Sequence, residues 1–182
     1  MNVKIEYNDV WKSFDGNPVV KGVSFKVDPG EVVVLLGPNG SGKSTLFKMA
    51  LGILRPDKGI IRVDGLEVSF NVIEVRRRIG FMPEETVVYE SLKIEEFLNF
   101  IFSVYDVKVD EEKVMEVLKV LGLIEHLDKL IGELSHGNKR KVLLASLMLR
   151  EPSILILDEV FSGLDPAMAR VVRTWIREAA NK

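Results

Sequence analysis

Nine consecutive residues, Gly37-Pro38-Asn39-Gly40-Ser41-Gly42-Lys43-Ser44-Thr45, complete the pattern G-x-x-x-x-G-K-[ST]. The glycines let the backbone curl so that successive N–H groups point inward, a cradle for phosphate oxygens. Lys43 can then bridge the terminal phosphates of a nucleoside triphosphate, and the Ser44 hydroxyl is placed to ligate Mg²⁺. Further along, Ile154-Leu155-Ile156-Leu157-Asp158-Glu159 is an apolar run ending in two acids. A carboxylate leaving the end of a buried strand beside a phosphate loop suits Mg²⁺ held through water, so Asp158 is a metal-side acid. The adjacent Glu159 can orient and deprotonate an attacking water. A solvated Asp-Glu turn is the plain alternative; the complete loop at 37–45 argues against it.

These groups need elements to hold them. Glu31 to Leu36 contains a continuous apolar run and predicts a strand buried on both faces. Ser44 to Leu54 predicts a helix whose positive end sits under the phosphates. Alternation at Val3, Ile5 and Tyr7, and at Val23, Phe25 and Val27, predicts half-buried strands, the second closed by Pro29-Gly30. Ile60 to Val63 runs into an Asp64-Gly65 turn. Together these predict an antiparallel sheet beside a nucleotide core.

From Ser91 to Leu130 the pattern turns helical. Phe97, Ile101 and Val104 share one face of a first helix. A second runs from the N-cap Asp110 to a Gly122 stop and carries Val114, Val117, Leu118 and Leu121. Further helices are predicted over Lys139–Leu149, preceded by Ser135, and over Pro166–Ala180. The chain therefore reads as one α/β domain over 1–182. Its core takes in about 1–88 and 131–182, with a helical subdomain at about 89–130.

Bulk composition narrows the class. The 182 residues carry a net charge of −2 and no cysteine, which removes disulfides and thiolate metal sites and leaves no basic footprint for nucleic acid. No stretch of 18 apolar residues and no signal-peptide pattern is present. The prediction is a cytosolic protein whose membrane role would come through a partner. Glutamine is absent while Val, Ile, Lys and Glu abound, a bias resembling hyperthermophile proteins.

Taken in order, the motifs resemble the nucleotide-binding subunit of an ATP-binding cassette (ABC) transporter, over residues 3 to 180. Leu134-Ser135-His136-Gly137-Asn138 stands where that family has its signature L-S-G-G-Q. Ser162-Gly163-Leu164-Asp165-Pro166 resembles its D-loop, and Gly80-Phe81-Met82-Pro83-Glu84 resembles the segment carrying its Q-loop. The resemblance implies a P-loop fold with a mainly parallel core sheet, an antiparallel β portion and an inserted helical subdomain. It implies ATP and Mg²⁺ as ligands, with Glu159, Lys43 and Glu84 catalytic and Ser44, Glu84 and Asp158 on the metal. It also implies a head-to-tail dimer, each ATP held by the phosphate loop of one copy and by Ser135 and Gly137 of the other, with Asp165 close by. Phe14 falls where the family stacks an aromatic on adenine. The partners implied are a transmembrane permease, of export type from the wording of residues 80–85, and a second copy, at the inner face of the cell membrane.

The departures are specific. Glu84 replaces a Gln and adds negative charge; Asn138 replaces another. His136 replaces a signature glycine and is harmless only if the backbone there is helical. Lys139, Arg140 and Lys141 oppose the dipole of their helix, a cost that an incoming triphosphate would offset. The family's switch histidine lies on a strand beyond the last helix read here, so the chain reads as truncated before it, with ATP-Mg bound but poorly hydrolysed. Two other readings compete: a soluble, non-transport cassette ATPase, and a regulatory module that binds ATP without efficient hydrolysis. The first would bring tandem cassettes or a basic surface; Glu159→Gln separates the second, changing little in a pure binding module.

Overall fold

The computed structural model describes residues 3–181. These form two compact units: one ends at Ile79 and takes in Ala180 and Asn181, the other is Gly80–Ala179.

The first unit is built on strands β1 (Ile5–Phe14), β2 (Asn17–Val27), β3 (Lys58–Val63) and β4 (Leu66–Glu67), in the order β2-β1-β3-β4 and antiparallel throughout. Its two hairpins turn on Asp15-Gly16 and Asp64-Gly65, with φ of 49° and 80°, and of 47° and 78°. Such positive pairs match the right-handed twist of the flanking strands. Ile5 sits opposite Val27 on one side and Val63 on the other, so the alternating apolar positions of three strands share a face. Helix α1 (Lys43–Ala50) lays Leu46, Met49 and Ala50 into the core, and the Tyr7 hydroxyl donates to the Leu46 carbonyl at 3.0 Å. Helix α2 (Val72–Arg78) buries Val75 and ties back through Arg76 Nε, which donates to the Leu51 carbonyl at 2.9 Å. Gly59 has φ of 85°, and a Cβ there would lie 2.2 Å from the Asp9 carbonyl oxygen; only glycine fits β3 this close to β1.

Two expectations for this unit need correction. The apolar run at 31–36 forms no strand, and Val34 and Leu36 are 69% and 90% exposed. Its composition expresses a preference for a pleated, buried surface, but a strand exists only as a ladder with a neighbour. The four-stranded sheet already ends at β2 and β4. The helix predicted to Leu54 stops at Ala50, because Gly52, at φ 63°, reverses the chain.

The second unit pairs β5 (Ile79–Met82) with β6 (Ile154–Leu157) and surrounds them with α3 (Ile94–Tyr105), α4 (Glu111–Val120), α5 (His136–Arg150) and α6 (Pro166–Ala180). Short 3₁₀ turns lie at Ile124–His126 and Ile131–Glu133. The core gathers Met82 from β5, Phe97 and Leu98 from α3, Leu118 from α4, Leu144 from α5 and Val172 from α6. Asp110 caps α4 as predicted, its Oδ1 accepting from Glu112 N–H at 3.2 Å, and Gly122 follows at φ 66°. On α3 the buried face is Ile94, Phe97 and Leu98; Val104, predicted to share it, is 52% exposed. Helix α5 begins at His136, three residues earlier than its apolar pattern indicated, because Ser135 caps it there.

Candidate functional site

In the first unit the phosphate loop closes on itself. The Ser41 N–H donates to the Pro38 carbonyl at 3.2 Å, turning the chain through Asn39 and Gly40. Gly40 and Gly42 take φ of 79° and 94°. Gly42 also meets Val19 at 3.2 Å from a notional Cβ, so a side chain there would be both strained and crowded. As N-cap of α1, Gly42 brings no side-chain cap, which leaves first-turn N–H groups for another acceptor. The Lys43 ammonium donates to the Gly37 and Pro38 carbonyls, at 2.8 and 3.0 Å, and so lies folded over the loop. Ser44 and Thr45 are half-buried on the first turn. Phe14 ends β1 at 41% exposure with the Lys12 ammonium 5.7 Å from its ring centre, so it is not a core residue.

The acidic pair belongs to the second unit. Asp158 is buried, and its N–H donates to the Met82 carbonyl at 2.8 Å, extending the β5–β6 pairing by one residue. Glu159 is exposed and takes φ of 52°, a left-handed conformation rare outside glycine. The Glu159 carbonyl then accepts from Ser162 N–H at 2.9 Å as the chain turns towards α6. Asp165 caps that helix, its Oδ1 accepting from Met168 and Ala167 N–H at 2.8 and 2.9 Å. The Met168 N–H above all, with the Ala167 N–H and the Lys141 charge, holds the Asp165 carboxyl below the usual carboxylate range. Glu84 is exposed just beyond β5. Among the described residues no three His, Cys, Asp or Glu side chains cluster as a metal site.

The signature segment opens α5. Ser135 Oγ accepts from Asn138 N–H at 3.3 Å, and His136 is the first helical residue, so its replacement of glycine costs no backbone strain. Gly137 is helical, with the Gly163 carbonyl 3.9 Å from a notional Cβ. The Asn138 carboxamide nitrogen sits 2.8 Å from His126 Nε2, a contact that nothing in the spacing of the two residues indicated.

Of the three cations that follow, Lys139 and Arg140 have partners within the chain. Lys139 pairs with Glu90 at 2.5 Å, and the charge of Lys141 acts on Asp165. Arg140 is buried at 1% exposure, and its guanidinium donates to backbone carbonyls of Glu84, Asp158 and Glu159. Reading the run as three cations that oppose the helix dipole and await a triphosphate missed this. The helical period did carry the signal, since Arg140, Leu144 and Leu147 fall on one buried stripe.

The sequence model of the ABC transporter family matches residues 20–162. The chain belongs to the ABC transporter family. The matched stretch takes in the phosphate loop, Glu84, the signature segment and the acidic pair, while Phe14 and Asp165 lie outside it. The chain is 38% identical over 164 residues to the Nod factor export ATP-binding protein I of Burkholderia thailandensis, covering 89% of this chain and 54% of that protein. It is 36% identical over 172 residues to the energy-coupling factor transporter ATP-binding protein EcfA of Methanocaldococcus jannaschii, covering 91% and 62%. It thus spans a little over half the length of these ABC relatives. Among solved structures, an ATP-binding subunit of an ABC transporter superposes with a TM-score of 0.89 at 31% identity, covering 98% of this chain and 75% of that one. The cbiO1 protein of Clostridium perfringens, part of the ABC transporter complex cbiONQ, gives 0.77 at 29% identity, covering 100% and 75%. The α/β class and the P-loop fold of this ABC chain follow from these likenesses.

Proposed function

We propose that this chain is the ATP-binding and ATP-hydrolysing subunit of an ABC transporter, peripheral on the inner face of the membrane and docked on a permease. Support comes above all from the phosphate loop, whose Lys43 ammonium lies over its own carbonyls at the head of α1. Residues 37–45 receive the triphosphate: loop N–H groups bond its oxygens, and Lys43 exchanges two carbonyl partners for phosphate oxygens. The exposed Phe14 ring offers a face for adenine. Ser44, Glu84 and Asp158 are hard oxygen donors, the set a small divalent cation takes, and they are the residues that would hold Mg²⁺. An ion held there would supply positive charge against the transferred phosphoryl group. Glu159 is the general base: its exposed carboxylate takes a proton from water as that oxygen bonds to the γ-phosphorus and the bond to ADP breaks. Ser135, Gly137 and Asp165 serve the nucleotide across a two-fold dimer.

No helix among the described residues is long and apolar enough to cross a membrane. The permease partner is supported by the likeness to cbiO1, part of the ABC transporter complex cbiONQ. Export is the proposed direction, supported by residues 80–85 and by the Nod factor export relative. With a net charge of −2, nucleic acid is not a proposed partner.

Glu159→Gln tests the assignment. Turnover of ATP-Mg should fall by about 10²–10⁴-fold while ATP still binds, and sedimentation at saturating ATP-Mg should show a dimer. Unchanged turnover would remove Glu159 as the base, and a persistent monomer would remove the two-copy site.

A further inference from the structure

We propose that Arg140 is a positioning residue for ATP turnover, clamping the Glu84 turn and the Asp158–Glu159 turn to the signature helix so that all three keep one geometry. The inference rests on the ATPase reading above. Arg140 sits five residues after Ser135, and its Nη1 donates to the Glu84 carbonyl at 2.8 Å. Its Nη2 donates to the Glu159 carbonyl at 2.5 Å and lies 3.4 Å from that of Asp158. A guanidinium at 1% exposure is costly unless its donors are filled. Here both Nη groups are bonded to carbonyls, while Nε is buried without a hydrogen-bond partner among the described residues. Burial accordingly pulls its pKa down, opposed by the carboxylates of Glu159, Asp158 and Glu84.

These acceptors are main-chain oxygens, so the bonds fix backbone. The guanidinium is a rigid plane, and its two ends reach two different turns. A shift of the Glu84 carbonyl relative to that of Glu159 must therefore break one bond or drag the other turn along. Glu159 shows why this matters. Its φ of 52° is a conformation that a non-glycine residue keeps only where its surroundings over-determine it. The Glu159 carbonyl receives both Arg140 and the Ser162 N–H, and those two donors hold the residue whose side chain is the proposed base. Lysine, a single nitrogen on a flexible stem, lacks the rigid plane that fixes the two turns relative to each other.

Arg140→Lys and Arg140→Gln test the clamp, with amide hydrogen exchange in the nucleotide-free protein and ATP kinetics read side by side. Both variants should exchange at least 10-fold faster at residues 84–86 and 159–162, with α3 and α6 unchanged. The kcat should fall at least 10-fold while KM for ATP moves less than threefold, and lysine should be the milder change. Native exchange at the two turns overturns the clamp, as does faster exchange with native kcat. If glutamine leaves the chain unfolded, lysine decides on the same criteria; if both lose protection in every helix, Arg140 is a folding residue and the proposal fails. A native chain that neither binds nor turns over ATP would sink the ATPase reading instead, while the exchange comparison would still decide the clamp.

Discussion

Single residues here carry either chemistry or the backbone geometry beneath it, and Tyr7 shows the second kind with a measurable sign. Its hydroxyl donates to the Leu46 carbonyl, and burial raises its pKa above the ordinary value of about 10. A folded-state pKa raised above the unfolded one gives stability that is complete below pH 10 and lost as pH climbs beyond it. The loss should approach about 1.4 kcal/mol per pH unit, and Tyr7→Phe should abolish that component while costing about 1 kcal/mol at neutral pH. Urea melts of the two proteins at pH 8 and pH 11 would show it; equal losses in both would refute the assignment. Local chemistry of this kind was partly readable. Asp110 as a cap follows from residue type and spacing, whereas the Tyr7–Leu46 bond joins residues 39 apart and follows from neither.

Elements were legible where pattern and punctuation agree. Helix α6 runs over Pro166–Ala180 as predicted, because Pro166 suits a first turn and the amphipathic period continues from it. Helix α5 was read short, since Ser135 caps a turn containing His136 and Gly137 that has no apolar pattern. The C-terminus of α5 supplies a prediction of its own. Arg150 lies over the Tyr105 ring at 3.9 Å and is buried, so it ties the end of α5 to the end of α3. Tyr105→Leu should lower stability by about 1 kcal/mol, read as a lower urea midpoint with an unchanged slope. A midpoint equal to that of the native chain would mean the pair carries no net energy.

At the scale of the molecule, the phosphate loop lies in one compact unit and the acidic pair in the other. If ATP-Mg binds only the folded chain, mass action stabilises it by about 2.7 kcal/mol at 100 times the dissociation constant. Thermal melts with and without ATP-Mg should therefore separate by several degrees, and Lys43→Ala should erase the difference. A native chain whose melt ignores ATP-Mg would contradict nucleotide binding outright.

By itself the sequence determined the set of chemical groups and their order: loop, Glu84, signature, acids and Asp165, with the caps and turns that start and stop most elements. Those are short-range properties, settled by residue type within a few positions. Tertiary structure alone decided which groups have company. The apolar run at 31–36 has the composition of a strand and no ladder, and Asn138 meets a histidine twelve residues away. Arg140, one of three adjacent cations, is buried against carbonyls 56, 19 and 18 residues distant. Burial and hydrogen-bond partnership are properties of pairs, and a pair far apart in the chain has no local signature.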